Sequence, residues 1–259
     1  KEKNREKWLL KKKNPQQEFS IDQYISEAIK KLPINGQQFI ISLENETKRG
    51  NIKEQQIKVF KQEAAYWRDT LNDPIAYFHF IEKAATLENS EKSLTFAAHS
   101  ILRYLPFAEQ TVKRVWLANR GRELFEKALN INPSNDSSTI GLGGCYIFGA
   151  ANGEQGNSPM TGISKIREVV AKDSNNIFAQ YMLGVGGIIS GQFDKAAQRF
   201  EKVVKAEPNN LEVLFKLAET YENLGDKQNA IKWYTVIHNK SKIPDMQKEL
   251  EQRINQLKQ

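Results

Sequence analysis

The chain is poor in the residues that build disulfide frameworks and metal centres. A single cysteine, Cys145, among 259 residues excludes an internal disulfide and a cysteine-based zinc site. Three histidines, His79, His99 and His238, lie too far apart in sequence to suggest a histidine-rich metal site. Neither Gly-x-x-x-x-Gly-Lys-Ser/Thr nor Gly-x-Gly-x-x-Gly occurs, so neither nucleotide-binding loop is written in the chain. No Ser/His/Asp or Cys/His grouping has sequence support, and no cofactor is expected. Long uncharged runs are also scarce. The exception is Ser174 to Phe193, long enough to be weighed as a membrane span, but four glycines, Gln180 and Ser190 dilute it and its ends are polar.

What is present is charge in one place and apolar periodicity almost everywhere else. The net charge is +7, yet the thirteen residues Lys1 to Lys13 hold seven basic and two acidic groups and account for +5 of it. The other 246 residues carry only +2, which argues against a nucleic-acid surface spread over the fold. The tail reads as a solvated lead-in or as a polybasic segment near a membrane.

The periodicity repeats. Ile177 to Asn210 places Leu183-Gly184, Gly191, Ala196, Phe200 and Pro208 at offsets that recur over Leu211 to Pro244 as Leu217-Ala218, Gly225, Ala230 and Tyr234. The small pairs Gly184 with Ala196 and Ala218 with Ala230 would let two helices approach closely, while Gly191 and Gly225 would turn the chain between them. Asp226, Ser158-Pro159 and Asp73-Pro74 read as helix starts. Longer units precede these at 136–176 and 91–135, with a further unit at 57–90 whose Glu63 and Lys83 depart from the pattern. Phase also explains the glycine clusters at 141–144 and 184–187 as sites of tight helix packing.

On these residues the chain resembles a tetratricopeptide-repeat protein. The resemblance implies an all-α fold, a right-handed superhelix of helix hairpins. The expected organisation is a basic tail over 1–13, an N-terminal helical segment over 14–56, about five units over 57–244 and a C-terminal capping helix over 245–259. The strings LENSEKSLTFAA at 87–98, GLGGCYIFGA at 141–150 and the stretch from Ser190 to Lys227 further resemble bacterial membrane-anchored repeat proteins. That likeness implies a hydrophobic anchor upstream of Lys1 and a place in the bacterial cell envelope; it assigns no reaction, and no enzyme is expected.

A repeat array offers a concave surface lined by the first helix of each hairpin. The lining positions give a partner groove of Ile140, Ile147, Phe148, Phe178, Tyr181, Met182, Val185, Ile188 and Ile189, continuing into Phe215 and Glu219, where it turns acidic. So large an apolar surface demands a cover. The expected occupant is an apolar or amphipathic protein or peptide segment, or else the chain's own residues 15–50 or the 149–158 insertion. The Lys and Asn that clamp a peptide carboxylate in this class are missing, because those positions read Lys61/Ala65, Thr95/His99, Ile140/Gly144, Tyr181/Val185 and Phe215/Glu219. No small-molecule substrate is expected. The rival reading is a homo-oligomeric assembly factor, and a weaker one a membrane or nucleic-acid contact through the tail.

Overall fold

Helix starts are dictated by short polar side chains that accept hydrogen bonds from the first free amides. Asp73 takes those of Ile75 and Ala76, and Pro74 follows at the first helical position, where its missing N–H is no loss. Ser90 and Ser93 form a reciprocal capping box, and Ser158, Asn176, Asn210 and Asp226 cap the later helices. Gly191 and Gly225 adopt φ of +71° and +75°, so both hairpin turns use the left-handed conformation that glycine adopts freely.

The computed structural model describes residues 19–49, 52–109, 111–149 and 158–259. Among them thirteen α-helices follow one another. They are α1 (Ile21–Lys30), α2 (Ile34–Arg49), α3 (Lys53–Asp69), α4 (Pro74–Glu88), α5 (Glu91–Tyr104), α6 (Val112–Ile131), α7 (Asp136–Gly149), α8 (Pro159–Lys172), α9 (Ile177–Ile189), α10 (Phe193–Ala206), α11 (Leu211–Asn223), α12 (Lys227–Lys240) and α13 (Pro244–Lys258). A 3₁₀ turn, Leu105–Phe107, follows α5. The basic tail and most of the 149–158 insertion lie outside the described residues. The chain divides into two compact units, Lys1–Leu124 and Phe125–Gln259.

In the first unit α3 and α4 form a hairpin around Trp67, Ala64, Ala76 and Phe80, joined by Ile40 of α2. α1 packs on α2 and α4; Tyr24 donates to Asp73 at 2.8 Å, Phe19, just before α1, meets Trp116 edge-on, and Lys113 lies 4.5 Å over the Tyr24 ring. Ile25, Ala28 and Ile29 of α1 also pack against the cluster of Ile40, Ala64, Trp67, Ala76 and Phe80.

Glu63 stands where the repeat puts a core leucine, and it is only 3% exposed. Burial pushes its carboxyl up to about 7, with Glu44 adding to the rise and Lys83 opposing it. Lys83 meanwhile lies over the Phe60 and Phe80 rings, 4.9 and 5.6 Å from their centroids. The two departures from the pattern are thus electrostatically linked.

In the second unit α7–α8, α9–α10 and α11–α12 are antiparallel hairpins, and α13 packs on α12. Backbones come closest at α7–α8: a Cβ on Gly162 would stand 2.2 Å from the Gly143 carbonyl oxygen. At α9–α10 the pairing differs from the expected one. Gly187 faces Ala196, with 3.0 Å between an added Cβ and the alanine Cβ, whereas the space at Gly184 receives the Phe200 ring. Ala196 sits near the turn, so its opposite number is the glycine nearer the end of α9, and the bulkier ring fills the notch one turn back. The uncharged stretch weighed as a membrane span is α9, thirteen residues long, with its flanking turns. No helix of the described residues is long and apolar enough to cross a membrane.

Two outcomes follow. Gly162→Ala should lower stability by about 3 kcal/mol, since backbone cannot give way, while Gly191→Ala, with open space around it, should lose about 1 kcal/mol from the φ penalty alone; urea unfolding midpoints check both. For Glu63 the folded-state pKa exceeds the ordinary 4.5, so its ionised form opposes folding and stability falls as pH climbs from about 4.5 to about 7. Relative to wild type, Glu63→Gln should therefore be neutral at pH 4 and more stable at pH 8, by on the order of 2 kcal/mol; an unchanged difference across that window would refute the assignment.

Candidate functional site

The faces of α7, α9 and α11 carry the residues that the repeat positions assign to the groove. Packing closes much of that surface. Ile140, Ile147, Phe148, Met182 and Val185 are buried, which corrects the expectation that they line an open groove. For Ile147 the cause is a glycine of α9. At Gly186 an added Cβ would lie 3.2 Å from Ile147 and 3.3 Å from Ile163, so the missing side chain lets α9 settle onto α7 and α8 and takes Ile147 into the core.

The rest of the predicted set remains accessible. Phe178, Tyr181, Ile188 and Phe215 are half-buried, Ile189 is 45% exposed and Glu219 is exposed. These side chains belong to α9 and α11, the first helices of consecutive hairpins. Lys216 is half-buried beside them, and Asn223 is engaged through its side-chain amide with the Glu219 carbonyl at 2.8 Å.

Polar clasps hold this face, and the sequence reading missed them. Tyr181 donates to Glu212 at 2.5 Å, joining α9 to α11. Tyr221 donates to Glu201 at 2.5 Å, joining α11 to α10, and Tyr234 donates to Glu222 at 3.0 Å, joining α12 to α11. Arg253 of α13 forms a two-pronged ion pair with Glu222, completing a Tyr234–Glu222–Arg253 cluster. Burial first, and then the neighbouring carboxylate, raises each phenol: Tyr221 to about 12, Tyr181 and Tyr234 further still. The hydroxyls consequently stay protonated as donors. Tyrosines and glutamates on neighbouring helices were the available signal, but only the spatial register shows which pairs meet.

Chemically, the face presents aromatic and aliphatic groups beside one free carboxylate, Glu219, because Glu212 and Glu222 are already engaged. Among the described residues no group of three or more His, Cys, Asp or Glu is placed to hold a metal ion.

Residues 188–239, from the end of α9 through α12, match the family model described as a tetratricopeptide repeat. The fold is that of a tetratricopeptide-repeat array. Among solved structures the chain is similar to TTC0263, a thermophilic TPR protein of Thermus thermophilus, at 17% identity and a TM-score of 0.54, covering 78% of this chain and 98% of that one. It is also similar to YrrB, described as a TPR protein with an unusual peptide-binding site (14% identity, TM-score 0.45, covering 81% and 97%). A third is MamA of Desulfovibrio magneticus (15% identity, TM-score 0.46, covering 71% and 94%). No curated protein matches the sequence.

Within the tetratricopeptide-repeat array the Tyr181–Glu212 bond is the test of the clasp. Tyr181→Phe removes one hydrogen bond to a charged acceptor and should lower stability by about 1–2 kcal/mol in urea unfolding. A change within a few tenths of a kcal/mol would mean that water replaces the bond without loss.

Proposed function

We propose that this chain is a non-enzymatic protein–protein interaction scaffold, with the α9–α11 face as its docking surface. The reading takes the hairpins α3–α4, α5–α6, α7–α8, α9–α10 and α11–α12 as five repeat units, α13 as their cap, and a membrane tether upstream. One observation carries it: after the glycine-rich helices have closed on one another, Phe178, Tyr181, Ile188, Ile189 and Phe215 still keep accessible apolar surface on two adjacent first helices. Apolar surface left open beside aligned helices is what an amphipathic segment covers.

Charge narrows the partner. Glu219 is exposed at the C-terminal part of the face and Glu212 accepts from Tyr181 at its edge. A segment with aliphatic anchors and a basic residue near Glu219 fits this arrangement better than an acidic one. The closed strip from Ile140 to Val185 shortens the docking surface relative to the one the repeat positions suggest, so the partner contacts about two first helices.

Site-specific photo-crosslinking in cells of the source organism tests the proposal. A photoreactive residue at Phe215 should give a discrete protein adduct that the same residue at Lys205, exposed on α10, does not. An adduct with the mass of a second copy of the chain would favour the self-assembly reading. Equal adducts at both positions would contradict a specific face.

A further inference from the structure

Among the described residues Glu63 is the one ionisable carboxylate or cation that is buried. It shares the inward side of α3 with Val59, Ala64 and Trp67, and nothing described hydrogen-bonds its carboxyl. Two helices face it with charge. From α2 comes Glu44, which repels an ionised Glu63, and from α4 comes Lys83, which attracts it. Lys83 is not bound to the carboxyl where it stands, since its ammonium lies over the Phe60 and Phe80 rings. The acid that α1 brings to this region, Asp22, acts on His79 instead. His79 itself is held down to about 4, chiefly by burial and then by Lys83, and is uncharged above that pH. An ionised Glu63 therefore meets a like charge on one side, an ammonium occupied by two rings on the other, and little water.

Of the two helices, α2 is the more weakly held. The α3–α4 hairpin is tied by the stacked Trp67 and Phe80 rings and by the Lys61–Glu88 ion pair at 2.8 Å. Of the described residues of α2, Gly36, Ile40 and Leu43 are buried, Phe39 leans on the Tyr66 ring at 4.7 Å, and Ile34 and Ile41 stay exposed. Lifting α2 thus gives up less packing than parting α3 from α4.

We propose that Glu63 makes the seat of α2 on the α3–α4 hairpin a proton-operated joint. With the carboxyl protonated, α2 is closed over Ala64 and Trp67. When the carboxyl loses its proton to solvent, α2 lifts, water reaches the carboxylate, and Lys83 leaves the rings to pair with it. The start of the first unit is sealed in acid and loosened near neutral pH while the hairpin persists. Burial raises the carboxyl to about 7 in the closed form against an ordinary 4.5, so lifting releases a proton and is favoured as pH climbs through that window.

Hydrogen–deuterium exchange of the intact chain, read by mass spectrometry and corrected for intrinsic exchange rates, tests this. In wild type the amides of α2 should lose protection by at least about tenfold between pH 4.5 and pH 7.5. At pH 7.5 they should exchange at least about tenfold faster than those of α3 and α4, whose protection reports opening of the hairpin itself. Glu63→Gln should abolish the pH-dependent loss, as should Glu63→Leu, which restores the residue of the repeat pattern. Glu44→Gln should diminish it, because one of the two repelling carboxylates is gone. Constant α2 protection in wild type, or the same loss in both Glu63 variants, would overturn the proposal. So would exchange of α2, α3 and α4 at one common rate at pH 7.5, since the charge would then be weakening the whole unit and not releasing one helix.

Discussion

Close approach of helix backbones at missing side chains is the constraint on which the rest of the second unit depends. Gly143 and Gly162 bring α7 and α8 to backbone contact, Gly187 faces Ala196 across α9–α10, and Gly186 admits Ile147 and Ile163. The Gly186 contact removes apolar surface that repeat phase alone would leave open, whereas the contacts within hairpins are of the close kind that the phase implies. Glycine weakens a helix by about 1 kcal/mol relative to alanine, and here tight packing offsets that loss. Accessible apolar surface is what the packing does not close, and it remains on α9 and α11.

Polar contacts then tie neighbouring helices to one another. Tyr181–Glu212, Tyr221–Glu201 and Tyr234–Glu222 each carry a hydrogen bond from one helix to another, and Arg253 extends the last of them to the capping helix. Tyr24–Asp73 does the same for α1 in the first unit. Because the phenol stays protonated as a donor, these bonds engage acids that would otherwise define the surface. Glu219 remains free, which gives the α9–α11 face its sign.

Much of the fold was legible in the sequence because its signals are local. Asp73-Pro74, Ser158-Pro159 and Asp226 cap helices where the spacing puts them, and Gly191 and Gly225 make the turns. The site was less legible because exposure is a property of several helices at once. Position within a repeat assigned Ile140, Ile147, Phe148, Met182 and Val185 to an open groove; the depth to which α7 and α9 sink together buried them. Glu63 was visible as a departure from the pattern, but its burial, and hence its raised pKa, needed the packing of α2, α3 and α4.

The account turns on the glycine-rich strip being core and its neighbours being surface, and two methionines report on that directly. Met182 lies in the closed strip at 2% exposure and Met160, at the start of α8, is 52% exposed. Hydroxyl-radical footprinting of the native chain, read by mass spectrometry, compares two side chains of the same intrinsic reactivity. The account predicts rapid oxidation of Met160 with Met182 protected by about an order of magnitude or more. Equal oxidation of the two would show that the groove from Ile140 to Val185 is open and would contradict it.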